Sequence, residues 1–235
     1  MTFNVLKIFG LSALTFTIGI LITPIITNFL YKHALWKKKV RDKTADGREA
    51  VYFKKLHEHK EVGTPRMGGL VIVGSVVITA LFVWLSALLF PSTLTEKLNF
   101  LSRNQTWLPL FTFLVASLVG FLDDILDVTG LGNYYAGGLS LKYRIVIITI
   151  IGFIGGFWFF DKLEVSAISL PYFGLLELGW LVVPLFMIVM LAIYSGSVID
   201  GIDGLAGGVM AAIYAAYAGI AFFQNQIDIA TFAAV

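Results

Sequence analysis

Residues 67–90 read MGGLVIVGSVVITALFVWLSALLF, twenty-four positions without one charged side chain. A helix spanning a hydrocarbon core of roughly 30 Å takes about 20 apolar residues, so this stretch is long enough to cross a membrane. Working outward, Ile8 to Leu30 forms a second uncharged run on the N-terminal side. Four more apolar stretches follow at about 105–122, 143–160, 178–199 and 204–223, and a seventh opens after Asp228 and reaches Val235. One such stretch is also what a buried helix of a large soluble protein looks like. Six of them joined by short polar loops predict an all-α polytopic membrane protein, with six complete transmembrane helices and the start of a seventh.

Composition agrees. The 235 residues are 58% hydrophobic and 14% charged, against roughly 45 to 50% apolar and about 25% charged in soluble chains. A water-soluble globule, a disordered chain and a nucleic-acid-binding protein are excluded together. With no cysteine, neither a disulfide framework, a thiolate metal site nor a cysteine nucleophile enters the reading. No linker or low-complexity tract divides the chain, so residues 1–235 are expected to form a single membrane domain.

Orientation follows from the cations, because short cytoplasmic loops retain lysine and arginine. The segment 31–66 holds eleven of the seventeen, from Lys32 to Arg66. Lys142 and Arg144 fall on the same predicted side, and Lys97, Arg103 and Lys162 on the other. That places the N-terminus outside and the basic loop 31–66 in the cytoplasm. Trp84, Trp107, Trp158 and Trp180 all fall toward the predicted outer ends, as an interfacial aromatic belt does. The first apolar run follows Lys7 but is too long for a secretory signal and lacks a small-residue cleavage site, so it is read as a retained span. His33, His57 and His59 lie in the basic loop and are read as solvated.

Carboxylates at the ends of spans are default candidates for function. Setting aside those of the basic loop and of the predicted outer side leaves Asp123, Asp124, Asp127, Asp200 and Asp203, all where the third and fifth spans reach the cytoplasmic face. In GFLDDILDVTG a continuing helix gathers the first three on one side, and like charges so close require a compensating cation or proton. Asp200 and Asp203 repeat the three-residue spacing in IDGIDGLAGG. Hard oxygen ligands in this arrangement suit Mg²⁺, which binds through one or two carboxylates plus substrate phosphates. Asp127, Asp200 and Asp203 are the expected metal ligands. A lone DDxxD is often only a solvated helix cap; two acidic clusters on one face make the phosphate-binding reading the stronger. A third element, GTPRMGG at 63–69, enters the second span. Gly68 and Gly69 leave backbone N–H groups open at a helix N-terminus, which favours an anion, and Arg66 adds positive charge; with Thr64 they are expected to contact substrate.

HKEVGTPRMGG (59–69), GFLDDILDV (120–128), GLSLKYR (138–144) and DGIDGLAGG (200–208) occur in this order among the spans, and as a set the chain resembles the polyprenyl-phosphate N-acetylhexosamine-1-phosphate transferases over essentially its whole length. That resemblance implies transfer of a sugar 1-phosphate from a UDP-activated amino sugar to undecaprenyl phosphate in the bacterial inner membrane, with Mg²⁺ and release of UMP. It implies Asp123 and Asp124 as the catalytic pair, one of them a base toward the lipid phosphate, and Asp200 and Asp203 beside metal and nucleotide. A phosphate-binding cation is expected in the 138–144 loop: Arg144 by register from Gly138, with Lys142 as the other candidate. Many members carry asparagine where this chain has Ser197 and Tyr194, and Ser197 with Asp200 is placed among the substrate contacts. GTPRMGG favours a phospho-muramoyl-pentapeptide donor, hence the first lipid-linked intermediate of peptidoglycan synthesis, over a plain N-acetylglucosamine donor. The family also has further spans with another aspartate in a Gly-rich turn and a histidine-rich loop, so the sequence is read as the N-terminal portion of a longer protein. A homodimer is the expected assembly.

Two other classes compete. DDILD also spells the diphosphate-binding DDxxD of intramembrane prenyltransferases, which leaves GTPRMGG and DGIDGLAGG without a role. A membrane carrier, or a scaffold with no chemistry, is the non-enzymatic reading; carriers place ionisable groups near the midplane, whereas these carboxylates gather at one surface.

Overall fold

The computed structural model describes residues 2–36, 63–131, 138–170, 174–196 and 204–235. Among them the chain forms α1 (Thr2–Lys32), α2 (Leu70–Leu89), a short α3 (Thr93–Leu98), α4 (Asn104–Thr129), α5 (Leu141–Asp161), α6 (Val182–Gly196), α7 (Leu205–Phe223) and α8 (Ile227–Ala234). Six of these are long and apolar enough to cross a membrane, α6 together with the 3-10 turn Gly179–Leu181 that leads into it. They coincide with the six expected spans, and α8 occupies the expected start of a seventh. The protein is an all-α polytopic membrane protein. Among the described residues its one departure is a two-stranded antiparallel hairpin between α5 and α6, β1 (Ala167–Leu170) with β2 (Gly174–Glu177), paired from Ala167↔Glu177 to Leu170↔Gly174.

The burial pattern inverts that of a soluble bundle. Phe9, Phe16, Leu21 and Ile25 of α1 and Phe82 and Leu88 of α2 are exposed, as side chains facing lipid should be. Between α1 and α2 lie Thr15, Ser75 and Thr79, all buried. Thr15 donates to Thr79 Oγ1 at 2.9 Å, and Thr79 donates in turn to the Ser75 carbonyl at 2.9 Å. Lipid tails are as apolar as leucine, so helices in a bilayer associate through close backbone approach and interhelical hydrogen bonds. The α5–α6 pair uses the first device. A Cβ on Gly155 would stand 2.7 Å from the Phe186 ring, and one on Gly156 would stand 3.0 Å from the Val183 carbonyl oxygen.

One end of the bundle is fastened by charge. Lys7 lies inside α1, not on its flank, and is only 4% exposed. Its Nζ meets Asp228 Oδ1 at 2.6 Å, and Arg103 Nε meets the other oxygen of Asp228 at 3.0 Å. Asp228 sits in the first turn of α8, where a carboxylate also complements the helix dipole. Leu11 of α1 joins Ala80, Val83, Phe100 and Leu101 in a buried cluster, against which Phe232 and Val235 of the C-terminal stretch pack. Helix α1 is thereby tied to α8.

Removing one partner from a buried ion pair costs about 3–5 kcal/mol because the other charge is stranded. Asp228→Ala strands the buried Lys7, while Arg103 is mostly exposed, and is expected to lower the thermal midpoint in detergent by the larger amount. Lys7→Met leaves Arg103 paired and is expected to melt closer to the parent. Equal midpoints for Asp228→Ala and the parent would remove the triad as a fastening.

Candidate active site

At the opposite end, α4 runs beyond the expected limit at 122 and stops at Thr129, where Gly130 adopts the left-handed conformation (φ 69°) that ends the helix. The extra turns place Asp123, Asp124 and Asp127 in helical register. Each carboxylate is met by a different group.

Asp123 is answered from the loop that enters α5 and from the first turn of that helix. Leu139 N–H donates to its Oδ1 at 2.6 Å, and Arg144 Nη2 stands 2.9 Å from both carboxylate oxygens. Gly138 makes this possible twice over: its φ is 69°, and a Cβ there would collide with Asp123 Oδ1. Arg144 also lies within hydrogen-bonding reach of Tyr194, near the end of α6. Of the two cations expected to meet phosphate, Arg144 is the one drawn into the cluster; Lys142 is exposed on the same helical turn, with no ion pair among the described residues.

Asp127 is answered from the 63–69 segment. Arg66 Nη1 stands 2.7 Å from Asp127 Oδ2, and the Asp127 side chain is 4% exposed. The residue expected to bind metal is thus held by the arginine expected to bind substrate. The segment itself is stitched to the end of α1: Arg66 N–H donates to the Leu35 carbonyl at 2.9 Å, and Pro65 bridges to Trp36.

Asp124 stands between these two pairs. Met67 N–H donates to its Oδ2 at 3.1 Å, and its other oxygen takes no hydrogen bond among the described residues. Among the described residues Arg144 pairs with Asp123 and Arg66 with Asp127, while Asp124 makes no direct ion pair and feels Arg66 only at longer range. Met67 has φ 69°, a conformation that costs a non-glycine residue about 1–3 kcal/mol. Its side chain is buried with Leu30 and Val128, against Ile26, Leu70, Phe121 and Ile125. Burying such a side chain contributes about 1.5–3 kcal/mol, enough to offset the strain. Gly68 and Gly69 are exposed, have open space where a Cβ would lie, and donate their N–H groups to nothing among the described residues. Thr64 is exposed on the same segment.

Ser197, Asp200 and Asp203 lie outside the described residues, as do His57, His59 and most of the basic loop. Among the described residues no three His, Cys, Asp or Glu side chains gather as a metal site. Within the described residues Asp124 offers Mg²⁺ an oxygen that takes no hydrogen bond, and Asp127 keeps its buried Oδ1 outside the Arg66 contact. Sequence reasoning missed the two backbone donors, Met67 and Leu139, and the steric role of Gly138. Only Gly138 left a trace, in the Gly137–Gly138 pair just before a helix. Tyr194, noted only as a departure from asparagine, proves to adjoin Arg144.

Gly138→Ala combines left-handed strain with a collision. It is expected to destabilise by at least about 1–3 kcal/mol, and by less in an Asp123→Ala background, where the collision is absent. Equal losses in the two backgrounds, read from thermal midpoints, would separate Gly138 from the Asp123 carboxylate.

Comparison with known proteins places this cluster. The family described as glycosyl transferase family 4 matches residues 106–235, which contain all three aspartates, Gly138 and Arg144. The phospho-N-acetylmuramoyl-pentapeptide-transferase of Latilactobacillus sakei is 33% identical over 177 residues, 74% of this chain and 50% of its own length. The transferases of the same name from Bacillus velezensis and Bacillus subtilis are 32% and 29% identical over 226 residues, 92% of this chain and 60% of theirs. The chain thus spans between half and three fifths of the length of these relatives. Carrying the family's match through its acidic helix and the arginine that answers it, the chain belongs to glycosyl transferase family 4.

Proposed function

We propose that the protein transfers a sugar 1-phosphate from a UDP-linked amino sugar to a polyprenyl phosphate at the membrane surface, releasing UMP. The observation that carries this reading is Asp124, the one carboxylate of the cluster with no direct ion pair among the described residues, set beside the amides of Gly68 and Gly69, which donate to nothing among those residues, and flanked by two arginines. Phosphoryl transfer depends chiefly on positioning and charge neutralisation, and preorganised donors and charges supply both without reorganising during the reaction. The names of the relatives support the reaction class, and GTPRMGG favours the muramoyl-pentapeptide donor.

In this mechanism Asp124 takes the proton of the lipid phosphate with the oxygen that Met67 leaves unengaged. A lipid phosphate oxygen attacks the sugar-bearing phosphorus, the bond from that phosphorus to the UMP oxygen breaks, and a lipid diphosphate sugar results. The amides of Gly68 and Gly69, at the start of α2, receive phosphate oxygens. Asp123 holds Arg144 toward the same space. Mg²⁺, assigned to Asp127, Asp200 and Asp203, would neutralise diphosphate charge; Arg66 pairs with Asp127 through Oδ2 and leaves Oδ1 outside that contact. The prenyl-transfer reading loses ground on the same geometry, since the first and last aspartates of its DDxxD are each bound to an arginine.

With full-length protein, Mg²⁺ and undecaprenyl phosphate, UMP is expected to appear from UDP-muramoyl-pentapeptide and to a lesser extent, or not at all, from UDP-N-acetylglucosamine. Chelation of Mg²⁺ should stop it. Asp124→Asn is expected to lower turnover at least about 100-fold, the lower range for a general base. Parent-like turnover in that variant would sink the assignment; diphosphate release from a prenyl donor would sink the reaction.

A further inference from the structure

The 63–69 segment contains three glycines, yet beside the Asp124 carboxylate the left-handed backbone falls on Met67, while Gly68 and Gly69 keep ordinary conformations. This is an inverted economy, since glycine adopts φ > 0 at no steric cost. Two further observations bear on the same residue. Its side chain is 7% exposed, within the cluster of Leu30 and Val128, and its N–H donates to Asp124 Oδ2.

The dihedral φ is the rotation about N–Cα, so it sets the angle between a residue's N–H and its Cα–Cβ bond. With the Met67 side chain seated in its cluster, φ decides where the N–H points. At an ordinary negative φ the same seated side chain would send the N–H elsewhere. A glycine at this position has no side chain to seat and nothing to fix the amide.

We propose that Met67 is a positioning residue for Asp124: its buried side chain locks a strained backbone so that its amide holds one carboxylate oxygen and leaves the other facing the reacting phosphates. The proposal rests on the phosphosugar-transfer reading for its consequence in catalysis, and on geometry alone for the amide contact. Misplacing a reacting group by about 1 Å can cost about 100-fold in rate. Met67→Gly relaxes the backbone and unseats the anchor, whereas Met67→Leu keeps an unbranched-at-Cβ apolar side chain of similar volume.

The experiment compares Met67→Gly and Met67→Leu in full-length protein, each in the parent and in the Asp124→Asn background, with UMP release as the readout. Met67→Gly is expected to lower kcat about 10- to 100-fold with KM for the UDP-sugar little changed, and Met67→Leu to restore most of it. In the Asp124→Asn background the Met67→Gly effect should largely vanish. Parent-like kcat in Met67→Gly, or an equal loss in both backgrounds, overturns the proposal while leaving the Asp124 assignment standing. A second arm needs no turnover: exchange of the Met67 amide hydrogen is expected to quicken at least about 10-fold in Asp124→Ala. An unchanged exchange rate overturns the contact itself, whether or not the parent releases UMP.

Discussion

Three carboxylates within five residues of one helix cannot share the edge of a bilayer unless their charge is answered, and the rest of the site is arranged around that need. Arg66 answers Asp127 and Arg144 answers Asp123. Because these arginines belong to the segments entering α2 and α5, neutralising the acids also fixes where two spans begin. The charges that make the site costly are the same ones that hold its parts together. Asp124, which among the described residues takes only a backbone amide in direct contact, is the member placed to act on something from outside.

The spans themselves are held differently. Hydroxyls between α1 and α2, and glycines between α5 and α6, give close contact where a bilayer offers no hydrophobic drive. Large apolar side chains are spent on the lipid face. Ionic contacts occur at both ends of the bundle, a triad through Asp228 at one and the two arginine pairs at the other. The middle is left to van der Waals packing and a few buried hydroxyls.

The spans were legible in the sequence because hydropathy over about 20 residues is a long signal, and so was the acidic face, because helical spacing turns 123, 124 and 127 into neighbours. Arg144 was legible by register from Gly138. The amides of Met67 and Leu139 were not, since a backbone donor carries no letter of its own. Nor was the pairing of Lys7 with Asp228, or of Arg66 with Asp127: each joins residues far apart in the chain, and nothing in either neighbourhood names the other. The 167–177 hairpin escaped for a different reason. Its four-residue strands are too short for alternation to stand out from an ordinary polar loop between spans.

The tie between Lys7 and Asp228 also sets an order of events. These residues are 221 positions apart, and chains are synthesised at roughly 5 to 20 residues per second, so on the order of ten to forty seconds separates them on the ribosome. During that interval α1 carries its lysine without its final partner, a state in which the charge is best placed toward the headgroups, where its long stem can reach water. Only when α8 arrives can the ammonium be drawn into the bundle. The ion pair that fastens α1 is therefore completed only after α8 has been made.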